Sequence, residues 1–189
     1  MEYNFDTVAP LYDLVMPRRR PEEFLALLDA TADDRILEVG AGTGRIAQHY
    51  ASAAGQCVLV DPSVRMLKRA LHKAPQARRV VGYVESLNFP DQSFNKIVCF
   101  DSLHHWRDQA CGLSEVRRVL EPDGRLFIVE VDPSRFWGHK VTLFEKVMGM
   151  RSRFHPPEAL LGMVRGAGFA NAALESVGDG FTYGVVCTK

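Results

Sequence analysis

The chain has no excess of charge of either sign: 23 Lys and Arg balance 23 Asp and Glu over 189 residues. Without a net positive field there is no long-range pull on a polyanion, so nucleic acid is not an expected partner. Long apolar runs are missing too, none approaching the roughly 18 residues that span a bilayer. The opening MEYNFDTVAPLYD lacks the basic-then-apolar order of a secretory leader, so no membrane span and a cytoplasmic location are expected. Cysteine is scarce, and Cys57, Cys99, Cys111 and Cys187 form no CxxC pair, which leaves no zinc or redox motif. Cys57, Cys99 and Cys187 fall in apolar runs and read as buried thiols. Repeats and low-complexity segments are absent. What is present, 47% hydrophobic and 24% charged residues, is the composition of one packed globular domain.

Short apolar runs alternate with helical patterns through the middle of the chain. RILEV, QCVLV, RRVVGYV, FNKIVCF and GRLFIVEV read as strands, and residues 45–53, 63–72 and 108–120 as the helices between them. Such alternation predicts an α/β fold with a parallel sheet covered on both faces. Two short helices, 8–16 and 22–30, precede the sheet, making residues 1–34 a helical cap. At the other end, helix 157–167 is stopped by Gly168, and ALESV and FTYGVVCT are separated only by Gly178, Asp179 and Gly180. Three residues cannot hold a crossover, so the last two strands must be antiparallel to each other. Residues 132–156 form an insertion in which Trp137, Val141, Phe144 and Met148 share one helix face. Core packing is the first reading of that stripe; a lid over a bound molecule or a dimer contact are the alternatives.

Chemistry concentrates at strand ends. Gly40, Ala41, Gly42, Thr43 and Gly44 follow RILEV directly, and glycines there allow a sharp turn on which a ligand can sit against bare backbone. A dinucleotide fingerprint would need glycine at position 45, which is Arg45, and no Gly-Lys-Ser/Thr follows to make a P-loop. Glu38, two residues ahead of the turn, suits a cationic ligand better than a pyrophosphate. Asp61, at the tip of QCVLV, either accepts the two hydroxyls of a ribose or caps the helix that starts at Pro62 and Ser63. After the fourth strand, Phe100, Asp101, Ser102, Leu103, His104 and His105 occupy the carboxyl edge, where open α/β sheets bind ligands. Adjacent histidines there serve either as a general base or as organisers of the loop. With no second cluster at ligand spacing, no metal is expected. Arg18, Arg19, Arg20, Arg151 and Arg153 read as a solvated face, or otherwise as contacts for an anion.

Four motifs in order, ILEVGAGTG, VLVDPS, ESLNFPDQSF and LHHWRDQACGLSEVRRVLEPDGRL, resemble those of class I S-adenosylmethionine-dependent methyltransferases, similar to the group containing the ubiquinone and menaquinone C-methyltransferases. The resemblance implies a single domain over residues 1–189, with a Rossmann-like, seven-stranded, mostly parallel sheet, helices on both faces and a C-terminal antiparallel hairpin. It implies direct displacement of the methyl group of S-adenosylmethionine by a small-molecule acceptor, in a monomer or homodimer. By resemblance, Gly40, Gly42 and Gly44 pass under the methionine part of the cofactor, with Glu38 and Thr43 near its amino and carboxylate ends. Asp61 holds the ribose, and Pro62 and Met66 flank the adenine. Tyr83, Val84 and Glu85 stand where the family commonly has Asp-Ala-Glu to read the adenine. Phe100 and Leu103 line the thioether, and Tyr12, with Tyr3, folds over the cofactor. Asp101, His104 and His105 are the catalytic candidates. Tyr83 departs from the family pattern, which supports an alternative: a cofactor-binding regulatory protein without turnover.

Overall fold

The computed structural model describes residues 21–177 and 180–189. The expected helix 8–16, together with Tyr3, Tyr12 and Arg18, Arg19 and Arg20, lies outside them, as do Gly178 and Asp179 of the terminal turn. Seven strands form one sheet in the order β3-β2-β1-β4-β5-β7-β6. Strands β1 (Arg35–Val39), β2 (Gln56–Asp61), β3 (Arg78–Val81), β4 (Phe94–Phe100) and β5 (Leu120–Val131) run parallel. Strand β7 (Thr182–Thr188) is antiparallel both to β5 and to β6 (Ala170–Glu175). It therefore lies between them, closing the sheet as the short final connection requires.

Alternation along the strands sends neighbouring residues to opposite faces, and both faces are apolar. Leu37, Val58, Ile97 and Ile128 pack with Val116 of helix α3 (Gln109–Val119) and Val164 of helix α5 (Pro157–Gly166) on one side. Ile36, Leu59, Val98 and Phe127 pack on the other with Phe24 of α1 (Glu22–Leu28) and Leu67 of α2 (Val64–Lys73). Each crossover helix begins where a side chain can satisfy a free N–H: Ser63 Oγ accepts from Met66 N at 3.1 Å, and Asp108 Oδ1 from Cys111 N at 3.0 Å. Chain order reverses between β1 and β4, so the loops leaving these two neighbouring strands flank the crevice where such sheets bind ligands.

Two expectations need correction. Residues 45–53 do not form a regular helix but a series of turns around a 3₁₀ segment, Ala47–His49. Its backbone bonds mix three- and four-residue spacing, Tyr50 N to Ala47 O at 3.1 Å and Ala51 N to Ala47 O at 2.8 Å. A buried hydrogen bond from Tyr50 to Glu38 favours this tightened path. The stripe in the insertion is not core. In helix α4 (Phe136–Val147), Trp137, Phe144 and the following Met148 are exposed by 60, 44 and 45%. The buried positions are Gly138 and Glu145, two turns apart on one face. A Cβ on Gly138 would stand 1.8 Å from the Asp132 carbonyl oxygen. Backbone approach at Gly138 therefore selects the docked face and turns the aromatic residues outward.

Cys57, Cys99 and Cys187 are free and buried as expected, while Cys111 is exposed. Among the described residues, no helix is long and apolar enough to cross a membrane.

Candidate functional site

The turn after β1 needs its glycines for different reasons. Gly40, Gly42 and Gly44 all have positive φ (71, 54 and 71°), a conformation that costs other residues strain. At Gly40 a Cβ would also lie 2.5 Å from Ser102 Cβ, and at Gly44 3.0 Å from Ala70 Cβ. At Gly42 it would meet nothing within 4 Å, so the middle of the turn presents bare backbone to open space.

Hydrogen bonds tie this turn to the ends of β2 and β4. Gly42 N and Ser63 N each donate to Asp61, at 2.8 Å to Oδ2 and Oδ1 respectively. Asp61 thus braces the glycine turn and the start of α2 together. Lys73 Nζ donates to the buried Thr43 Oγ1 at 2.9 Å. Glu38 is 2% exposed and accepts from the Tyr50 hydroxyl at 2.5 Å. Burial raises its carboxyl to about 7, against the opposing pull of Tyr50 and Arg45. Arg45 reaches Asp101 Oδ2 at 3.4 Å, and Asp101 adopts a left-handed conformation at the first position beyond β4.

The rest of that loop is organised by an acid from β5. Glu130 Oε1 accepts from Ser102 N at 3.1 Å and Leu103 N at 2.7 Å, while Oε2 lies 2.5 Å from His104 Nδ1. Burial opposes charge on His104, but Glu130, supported by Glu145, outweighs it and raises the imidazole to about 9. His105 is driven well below its ordinary value by burial and then by the neighbouring His104. The two rings meet through their Nε2 atoms at 3.0 Å. Phe154 stacks on His104 at 4.2 Å between centroids, and Ser152 Oγ lies 3.2 Å from His105 Nδ1 while donating to Glu145 Oε2.

Glu38, the three glycines, Thr43, Asp61 and Asp101 therefore share one rim, linked across the β1–β4 crevice by the Arg45–Asp101 pair. Other expected contacts sit differently. Pro62 is exposed and Met66 buried. Tyr83 is exposed and carries the Arg107 guanidinium 3.8 Å above its ring, while Val84 is buried. Glu85 Oε1 accepts from Asp108 N at 3.1 Å. Phe100 packs edge-on against Phe24 with centroids 5.1 Å apart, and Leu103 enters the core of the opposite face. Arg151 and Arg153 are exposed, as a solvated face requires, and Arg153 in addition donates to the carbonyls of Trp106 and Arg107 in the loop after β4. A concavity of about 480 Å³ beside Arg35, Gln56 and Glu121 opens at the amino ends of the strands, away from these groups.

Sequence reasoning missed Tyr50, Glu130, Glu145 and Ser152. A signal existed for Glu130, the one acid inside the apolar run FIVEV. None existed for Glu145 and Ser152, which join the histidines only through the docking of α4.

Comparison with known proteins agrees with this geometry. Residues 37–128 match the family model described as a methyltransferase domain. The demethylmenaquinone methyltransferase of Renibacterium salmoninarum is 30% identical over 151 residues, covering 76% of this chain and 64% of its own length. Residues 37–128 thus carry a methyltransferase domain similar to those of the class I S-adenosylmethionine-dependent enzymes. The methyltransferase YcgJ of Bacillus subtilis is 36% identical over 107 residues, covering 54% of this chain and 42% of YcgJ. This methyltransferase chain thus spans roughly half the length of the curated relatives it matches. A crystal structure from Thermotoga maritima, described as an S-adenosylmethionine-dependent methyltransferase and "possible histamine N-methyltransferase", shares the fold at 22% identity. Its TM-score is 0.77, with 98% of each chain covered. S-adenosylmethionine is the family's cofactor, and the rim fits it: open space over Gly42, a carboxylate at Asp61 and a buried acid at Glu38.

Proposed function

We propose that the chain transfers the methyl group of S-adenosylmethionine to a small-molecule acceptor. When bound, the cofactor supplies a methyl group on a sulfonium leaving group, so transfer needs alignment and exclusion of water rather than a covalent enzyme intermediate. The backbone of the glycine turn, Glu38, Thr43 and Asp61 hold the cofactor. The carboxylate of Asp61 accepts from ribose hydroxyls, and Glu38 balances positive charge on the methionine end. Tyr83 and Val84 border the adenine, and the ring of Tyr83, stiffened by Arg107, offers a stacking surface in place of the family's acid.

On the acceptor side, Asp101 is the candidate for contact with the reacting molecule. His104 and His105 are positioning residues, because their ring nitrogens are engaged with Glu130, Ser152 and each other. The observation that carries this reading is the Arg45–Asp101 ion pair at 3.4 Å, which fixes the acceptor-side carboxylate to the cofactor turn. The test is calorimetric titration with S-adenosylhomocysteine, followed by assays of labelled methyl transfer to a panel of quinols, phenols and amines. Binding together with turnover on any panel member supports the reading. Absence of binding heat and of thermal stabilisation would reject it, and binding without turnover on any acceptor would favour the regulatory alternative.

A further inference from the structure

We propose that His104, His105 and Glu145 form a binding site for one borderline divalent metal ion, of the zinc or cobalt class. Their ligand atoms all lie within 4.8 Å of one another. The sequence shows only the adjacent histidine pair, for which no metal is expected; the third donor arrives from α4, through the face selected by Gly138.

Three features point to a ligand set rather than a chance cluster. First, the convergent atoms have the right spacing. His104 Nε2 and His105 Nε2 are 3.0 Å apart, and His104 Nε2 is 3.8 Å from Glu145 Oε1. Two nitrogens each about 2.1 Å from one zinc ion lie roughly 3.0 to 3.4 Å apart for bond angles between a right angle and the tetrahedral value. The Glu145 carboxylate stands farther off than one shared ion allows and must shift toward the imidazoles on binding.

Second, each ligand has an outer partner that fixes which atom faces inward. Glu130 accepts at His104 Nδ1, which turns Nε2 toward the cluster. Ser152 donates its hydroxyl proton to Glu145, so its oxygen accepts from His105 Nδ1–H and leaves His105 Nε2 as the inward atom. Carboxylate or hydroxyl support behind each ligand is how metal-binding histidines are oriented. Glu130 and Ser152 between them back all three ligands.

Third, the donors are of the right kind and differ in access. Two imidazoles and a carboxylate match zinc and cobalt better than calcium or magnesium, which favour oxygen alone. His104 and Glu145 are 2 and 5% exposed, while His105 is half-buried, giving a route for exchange from solvent. Three protein ligands with one accessible side leave a coordination position for water or an added molecule.

The proposal does not depend on methyl transfer, and its test separates the two. The full chain, stripped with a chelator, is titrated with zinc(II) by calorimetry and with cobalt(II) by visible absorption, alongside His105→Ala and the isosteric Glu145→Gln. One equivalent bound, visible ligand-field bands for cobalt and a raised melting temperature are expected. Each variant should weaken binding at least about tenfold. S-adenosylhomocysteine binding and circular dichroism report whether the variants fold, and Glu145→Gln decides if His105→Ala does not. No saturable binding of either metal, or binding unchanged in Glu145→Gln, overturns the site. Metal binding without S-adenosylhomocysteine binding would keep the site and remove the methyltransferase reading; the converse result would do the opposite.

Discussion

Glu38 makes the stability of this domain depend on pH in a direction opposite to that of most carboxylates. Its side chain is 2% exposed, and burial lifts the carboxyl from an ordinary 4.5 to about 7. The folded state therefore keeps the proton at pH values where the unfolded chain has released it. Because the folded value is the higher one, the contribution is complete below pH 4.5 and is lost as pH rises through about 7. At about 1.4 kcal/mol per pH unit, that interval amounts to about 3 kcal/mol. Urea unfolding of the wild type and of Glu38→Gln across the interval isolates the effect, since other titrating groups cancel in the difference. Glutamine keeps an oxygen to accept from Tyr50 but has no proton to lose. Relative to the variant, the wild type should weaken by about 3 kcal/mol between the two limits and then level off. Two curves that stay parallel within about 0.5 kcal/mol would refute the reasoning. A second readout follows from the proposed cofactor contact: affinity for S-adenosylhomocysteine should rise as pH approaches 7 and lose that dependence in Glu38→Gln, because ionised Glu38 attracts the ligand's ammonium.

Glu130→Ala removes the acceptor for two buried backbone N–H groups and for His104, so urea unfolding should show a loss of about 3 to 5 kcal/mol. Glu130→Gln keeps an acceptor oxygen for the two N–H groups and should cost about 1 to 2 kcal/mol; equal losses for the two variants would mean that Glu130 does not organise the loop. Gly40→Ala meets both a positive φ and Ser102, and should destabilise by about 2 to 3 kcal/mol, whereas Gly42→Ala meets the φ cost alone, about 1 kcal/mol. Calorimetry should nevertheless find S-adenosylhomocysteine binding impaired at least as much by Gly42→Ala, because its new methyl group enters the open space. Unchanged binding in Gly42→Ala would place the ligand elsewhere.

The parallel strands other than β3 were legible because they are largely apolar on both faces, and the terminal antiparallel pair because three residues cannot hold a crossover. Glycine at positions 40, 42 and 44 was likewise legible, since positive φ is a demand a sequence can show. The partners of polar side chains were not. Arg45 reads only as the residue that breaks a dinucleotide spacing, yet it pairs with Asp101, 56 positions away. Helix α4 misled for a related reason. Periodicity reveals that an apolar face exists but not which face the domain covers, and at Gly138 a backbone contact decided the matter against the aromatic stripe. Tyr12, Tyr3 and helix 8–16 lie outside the described residues.

Buried acids in apolar strands were the clue of greatest reach. Glu38 and Glu130 are both the penultimate residues of their strands, β1 and β5, and these strands flank β4. A carboxyl at such a place costs several kcal/mol to bury unless it is hydrogen-bonded. Glu38 finds one partner, Tyr50, and responds by holding its proton. Glu130 finds three in the loop after β4, including the imidazole of His104. Two chemically identical residues at equivalent strand positions thus take different roles according to the donors within reach. One stays poised to ionise beside the glycine turn, and the other fixes the backbone and rings of the loop after β4.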